Sequence, residues 1–122
     1  MTTTTNSAPV DVDALRRAIE GRDADGVLAA YGPDSTLTLL DRDHPPSAPL
    51  VHTGLDAIGR YYRDICGRNI EHSVRSVVAT ADGLGYTQHC RYPDGTAVVC
   101  VTVATVRAGR IQDQTAIQVW DG

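Results

Sequence analysis

Phenylalanine and lysine are absent from this chain, and tryptophan occurs once. Without Phe, an apolar interior has to be built from aliphatic residues and the five tyrosines, whose hydroxyls need partners wherever they are buried. Without Lys, all 11 basic residues are arginines; they are scattered along the chain, and the formal net charge is −4. Nucleic acid and anionic membrane surfaces call for a concentrated basic face, so neither is an expected partner. No apolar run approaches the ~20 residues that cross a bilayer. Met1–Val10 is threonine-rich and lacks the basic and apolar blocks of a signal peptide. It reads as a disordered tail, with the cytoplasm as the expected compartment.

Cysteine is also sparse. Cys66, Cys90 and Cys100 contain no Cys-x-x-Cys pair and are expected as buried free thiols. The histidines at 44, 52, 72 and 89 show no helical i, i+4 pair, and no phosphate-binding glycine loop is present. Neither a metal nor an organic cofactor is expected.

What the chain does contain is an ordered series of elements within one domain, 11–122. Asp11 or Asp13 caps a first helix with Val12, Leu15 and Ile19 on one face, and Gly21 ends it. Asp23 or Asp25 caps a short second helix that runs to Gly32-Pro33. Ser35–Asp41 reads as a strand with Leu37, Leu39 and Asp41 on one side. Pro45, Pro46 and Pro49 make 42–52 a loop or irregular edge. Thr53 is then expected to cap a third helix, with Ile58, Tyr61 or Tyr62, and Ile65 facing inwards. From Ile70 onward, turn pairs at Asp82-Gly83, Asp94-Gly95 and Ala108-Gly109 separate four antiparallel strands, roughly 70–80, 85–93, 96–107 and 110–120.

Two-residue turns at Asp94-Gly95 and Ala108-Gly109 set a register. One face then carries Tyr86, Gln88, Cys90, Val99, Val101, Val103, Gln112, Gln114, Ala116, Gln118 and Trp120. The other carries His89, Arg91, Cys100, Thr102, Ala104, Ile111, Asp113, Thr115, Ile117 and Val119, so Cys90 and Cys100 are expected on opposite faces. Two assignments stay open. Either the glutamine face lines an apolar cavity, or it is the wet face of the sheet.

The run Arg22-Asp23-Ala24-Asp25-Gly26-Val27-Leu28-Ala29-Ala30-Tyr31, followed by Gly54-Leu55-Asp56-Ala57-Ile58-Gly59-Arg60-Tyr61-Tyr62, resembles the front half of a SnoaL-like domain. That group belongs with the nuclear transport factor 2-like and ketosteroid isomerase-like proteins. The resemblance implies an α+β fold: a conical α+β barrel with three N-terminal helices packed on a curved, mainly antiparallel sheet. It favours the glutamine face as the interior, and it implies a homodimer through the outer face. Isomerases, cyclases, dehydratases and non-enzymes share the fold, so reaction does not follow from it.

In isomerase-like members an Asp removes a proton beside a carbonyl, and a Tyr and a protonated Asp hold the oxyanion. Carried over by position, the base falls at Leu39, the tyrosine at Leu15, and the second Asp at or next to Val103. All three roles are lost, while Tyr31 and Tyr62 match supporting tyrosines. The resemblance thus implies a ligand site of Leu15, Tyr31, Leu39, Tyr62, Tyr86, Gln88, Val103, Gln114, Gln118 and Trp120 for a small hydrophobic molecule. Asp41 shares the inward parity of Leu39, and His44 precedes Pro45 as the family base precedes a proline. These two are the candidate catalytic groups, with a raised Asp41 pKa expected at a hydrophobic mouth. The alternatives are a solvated polar turn at 41–44 and a binding module without chemistry.

Overall fold

A computed structural model describes residues 8–121. Helix α1 (Val12–Glu20) starts where the Asp11 carboxylate accepts the Ala14 N–H at 3.1 Å, and it ends at Gly21. Its apolar stripe buries Leu15, Ala18 and Ile19. Helix α2 (Ala24–Leu28) is capped the same way by Asp23, which accepts from Gly26 N at 3.1 Å. The helix stops before Gly32-Pro33, because strand β1 (Tyr31–Leu40) already claims those residues. Pro33 lies in the irregular part of β1, between Tyr31 and Thr36, where the ladder with its neighbour is interrupted and no N–H is missed.

The expected loop at 42–52 contains a short edge strand, β2 (Leu50–Thr53), antiparallel to β1. Thr53 is therefore not a helix cap. It pairs with Thr36, and Gly54 begins helix α3 (Leu55–Cys66) with no side-chain cap. Strands β3 (Glu71–Ala79), β4 (Gly83–Arg91), β5 (Ala97–Arg107) and β6 (Arg110–Trp120) follow as a meander. The sheet order is β2-β1-β6-β5-β4-β3, with β1 parallel to β6 and the other pairs antiparallel. The three helices pack on one face of this curved, unclosed six-stranded sheet, the α+β cone anticipated above.

The register of β5 differs from expectation. The β4–β5 connection is a three-residue loop, Pro93-Asp94-Gly95, closed by Tyr92 N–H to Thr96 O at 2.9 Å. Gly95 has φ +89°, which a residue with a Cβ adopts only under strain. Cys90 consequently faces Val98, Gln88 faces Cys100, and Tyr86 faces Thr102. The extra loop residue turns β5 over: Val98, Cys100, Thr102 and Ala104 point inwards, and Val99, Val101 and Val103 point out. Val103, expected in the ligand site, is 65% exposed on the outer face.

The next hairpin is the expected two-residue turn, with Ala108 and Gly109 both at positive φ. A bulge then leaves Gln112 without a partner on β5, since Val106 pairs with Ile111 but Thr105 with Asp113. The bulge shifts β6 back by one residue. Gln114, Ala116, Gln118 and Trp120 therefore keep the inward parity, while Ile111, expected outside, is fully buried.

The core lies between helices and sheet, with Leu37, Ile58 and Ile111 wholly buried beside Val27, Leu15 and Ile19. Each such aliphatic side chain contributes about 1.5–3 kcal/mol by leaving water. Val10 belongs to this core, so the expected tail through residue 10 extends too far; residues 1–7 lie outside the described residues.

Candidate functional site

The inner sheet face and α3 enclose a pocket of about 50 Å³. Its walls are largely apolar, with Leu37, Leu39, Ile65, Ile70 and Val98, and its polar lining comes from Tyr61, Tyr86, Gln88, Gln114, Gln118 and their neighbours. It shares Leu39, Tyr61, Ile65, Tyr92, Gln118 and Trp120 with an open mouth of about 510 Å³. The inner pocket holds a few water-sized groups, whereas drug-sized ligands occupy ~300–1,000 Å³. The inner pocket is thus of head-group size, and the larger volume lies in the mouth.

The floor is a directed hydrogen-bond chain. Tyr31 on β1 donates its hydroxyl to the Gln114 side-chain oxygen and bonds the Tyr62 hydroxyl of α3 at 2.6 Å. Because the Tyr31 hydrogen is committed to Gln114, Tyr62 is the donor to Tyr31. The Gln114 amide then donates to Thr102 Oγ1 at 3.4 Å. Burial raises the Tyr86 pKa to about 12, and the polar groups of Thr102 and Gln114 oppose that rise. Burial also raises Tyr31 and Tyr62, so all three phenols stay protonated at neutral pH. Gln114 is only 3% exposed, and its amide joins groups from β1, β5 and β6 that would otherwise be orphaned.

Asp41 reaches the mouth just past the end of β1. A tight turn brings His44 back beside it, with paired backbone bonds at 3.1 Å. One carboxylate oxygen accepts from the Asp43 N–H at 2.8 Å and from His44 Nδ1 at 2.9 Å. Burial pushes this carboxyl up, but the bonds from His44 and Asp43 outweigh it and hold Asp41 below the ordinary carboxylate range. That is the reverse of the raised pKa expected from the sequence, because the site is only partly desolvated and its acceptor is already served. Arg42 stacks on the Trp120 ring with 4.7 Å to the centroid. His52 packs against Tyr61, and burial lowers its pKa.

The expected ligand residues fall into three groups. Leu39, Tyr62, Tyr86, Gln88, Gln114, Gln118 and Trp120 line the pocket. Tyr31 supports it from beneath, and Leu15 packs in the helix–sheet core without lining it. Val103 faces outwards, and the adjacent inward position is Thr102, which carries no carboxylate. Tyr61, His72, Cys90 and Cys100 also line the pocket. Cys90 keeps the face expected from the sequence, whereas Cys100 was expected on the other one; the three-residue loop at Pro93-Asp94-Gly95 is the feature that brings Cys100 onto the inner face. All three cysteines are free. Among the described residues no cluster of three or more His, Cys, Asp or Glu side chains is arranged to hold a metal ion, and no helix is long and apolar enough to cross a membrane.

The model of the SnoaL-like domain matches residues 12–114, which spans both the helices and most of the sheet. The chain belongs to the SnoaL-like domain family. Solved structures agree on the fold. A nuclear transport factor 2-like protein of Burkholderia xenovorans superposes with a TM-score of 0.73 at 16% identity, covering 90% of this chain and 79% of that one. A nuclear transport factor 2-like protein of Mesorhizobium loti gives 0.72 at 16% identity, covering 91% and 90%. A Kribbella flavida protein described as a candidate ketosteroid isomerase gives 0.72 at 16% identity, covering 91% and 75%. At these identities the likeness concerns architecture. No curated protein matches the chain in sequence.

Proposed function

We propose that this SnoaL-like domain binds a small, mostly apolar molecule by an oxygen-bearing head group. The observation that carries this reading is Tyr86, a buried phenol that lines an apolar pocket together with Gln114, the end of the Tyr62–Tyr31–Gln114 chain, with a wide mouth next to it. Burial pushes its pKa up to about 12, so it stays protonated and offers its hydrogen to a ligand oxygen. Fluorescence of the single Trp120, in the wall of both pocket and mouth, reports occupancy. Small cyclic ketones are expected to titrate it saturably, and Tyr86→Phe to weaken them about tenfold, the value of one hydrogen bond of ~1.4 kcal/mol. Hydrocarbons of the same size binding as tightly as the ketones would sink this reading.

The second reading is a cofactor-independent proton-transfer enzyme of the cyclase, dehydratase or isomerase kind. The Asp41–His44 pair at the mouth favours it: the ionised carboxylate fixes the imidazole through Nδ1 and leaves Nε2 as an acceptor. On a turned-over substrate, Asp41→Asn is expected to lower the rate by ~10²–10⁴-fold with the fold intact. Unchanged turnover would remove Asp41 from the mechanism.

We also propose a homodimer through the outer sheet face. With β5 turned over, Val101, Val103, Ile117 and Val119 stand side by side on that face, each more than two-fifths exposed. A second copy presents the same flat apolar strip, so a two-fold pairing buries it on both sides. Val103→Glu is expected to convert a dimer to a monomer in sedimentation; a wild-type monomer at micromolar concentration would end this proposal.

A further inference from the structure

At the β3 edge of the pocket, three side chains converge on one sulfur. Cys90 on β4 faces His72 on β3 across the ladder, with Nδ1 3.3 Å from Sγ. The Gln88 amide nitrogen lies 3.1 Å from the same Nδ1 and 3.7 Å from Sγ. An amide nitrogen only donates, so Nδ1 presents its one lone pair; the Gln88 N–H and the Cys90 thiol compete for it, and Nδ1 takes the thiol proton when the Gln88 amide turns to Sγ. His72 Nε2 is buried with no hydrogen-bond partner, an arrangement that costs stability. Cys100, turned inwards with β5, lies diagonally across the ladder from Cys90 and lines the same pocket, as does Gln118.

We propose that Cys90 is a nucleophilic thiol activated by His72, and that it adds to small α,β-unsaturated carbonyl compounds seated in the pocket. Sγ passes its proton to Nδ1 of His72 and forms a bond to the β-carbon of the ligand. The electrons of the carbon–carbon double bond move to the carbonyl as an enolate, and the proton returns from His72 to the α-carbon. The product is a thioether with no net loss or gain of protons. Tyr61, which lines the pocket and mouth, stays a phenol because of its burial and the neighbouring sulfurs, and it is placed to hold the enolate oxygen.

The groups around Cys90 set its acidity. The neighbouring Cys100 thiol is the largest influence and lowers the pKa, burial opposes it, and His72 and Gln88 lower it further. Tyr61 and Tyr92 are the other titratable neighbours, and both are held protonated chiefly by burial. Cys66 makes a built-in control, since burial pushes its thiol up. Oxidation to a Cys90–Cys100 disulfide is disfavoured by register. The two are diagonal neighbours, with Cys90 opposite Val98, and diagonal pairs lie ~7–8 Å apart, beyond unstrained disulfide geometry.

This inference rests on the same pocket as the binding proposal but on a different reaction partner, and two probes separate them. The wild-type protein is exposed to 2-cyclohexen-1-one at pH 6.5, and the adduct is located by intact mass and peptide mapping. Cys90 is expected to react about tenfold or more faster than Cys66: an ordinary thiol is ~1% thiolate at that pH, and lower basicity returns part of the gain. His72→Gln, which keeps Cys90 in place, is expected to slow Cys90 severalfold and move its reaction to higher pH, with the influence of Cys100 remaining. Equal labelling of Cys66, no adduct at Cys90, or a His72→Gln variant as fast as wild type each overturns the proposal. The saturated cyclohexanone, followed by Trp120 fluorescence, tests binding alone, so ketone binding without enone addition condemns only the thiol.

Discussion

At the floor of the cone Tyr62, Tyr31, Gln114 and Thr102 are neutral, deeply placed and bonded to one another. At the mouth, Asp41 and Arg42 keep their charges in partial contact with water. The difference follows from desolvation. A buried neutral hydroxyl needs one partner, whereas an isolated buried charge costs far more than a single hydrogen bond returns. The floor is therefore suited to a neutral hydrogen-bonding group, and the mouth to a charged one.

Leu37→Ala tests the floor most severely. Leu37 is 0% exposed and forms part of the pocket wall, so a loss of about 2–5 kcal/mol in urea denaturation is expected. A loss below about 1 kcal/mol would mean that the floor collapses to fill the gap and is not a rigid template.

Gln114→Leu comes next. It removes the acceptor for Tyr31 and the donor for Thr102 with little change of volume, and each orphaned hydroxyl costs about 1–3 kcal/mol unless water reaches it. Ligand affinity is expected to fall with stability. A fully stable Gln114→Leu variant would show that the chain is a wet network and not a sealed one.

The smallest effect is expected at the mouth. The folded state depresses the Asp41 pKa, so this group adds stability above the unfolded value of ~3.9, and that contribution disappears as pH falls through the lower native value. Asp41→Asn is expected to cost less than about 1 kcal/mol at pH 7 and to lose less stability than wild type between about pH 5 and pH 2. Identical acid profiles would show that the His44 contact contributes nothing in solution.

Short-range features were legible in the residues. Asp11 and Asp23 stand where their carboxylates cap helices, and spacings of three and four put Leu15 and Ile19 on one buried face. The alternation in 110–120 placed the glutamines of β6 on one side, yet their orientation survives through two displacements that cancel: the extra residue in the Pro93-Asp94-Gly95 loop and the bulge at Gln112. Strand β5 lies between them and is inverted. Its valines stand outside, and Cys100 and Thr102 join the pocket.

The caps at Asp11 and Asp23, the turn glycines and the α+β order depend on neighbours a few residues apart, so the amino-acid sequence alone determined them. Tertiary structure decided which side of β5 faces the cone, that Asp41 is stabilised in its charged form, and that Cys90 meets His72. A one-residue change in a loop reverses a whole strand face, and an ionisable group responds to partners and burial that alternation along the chain does not encode.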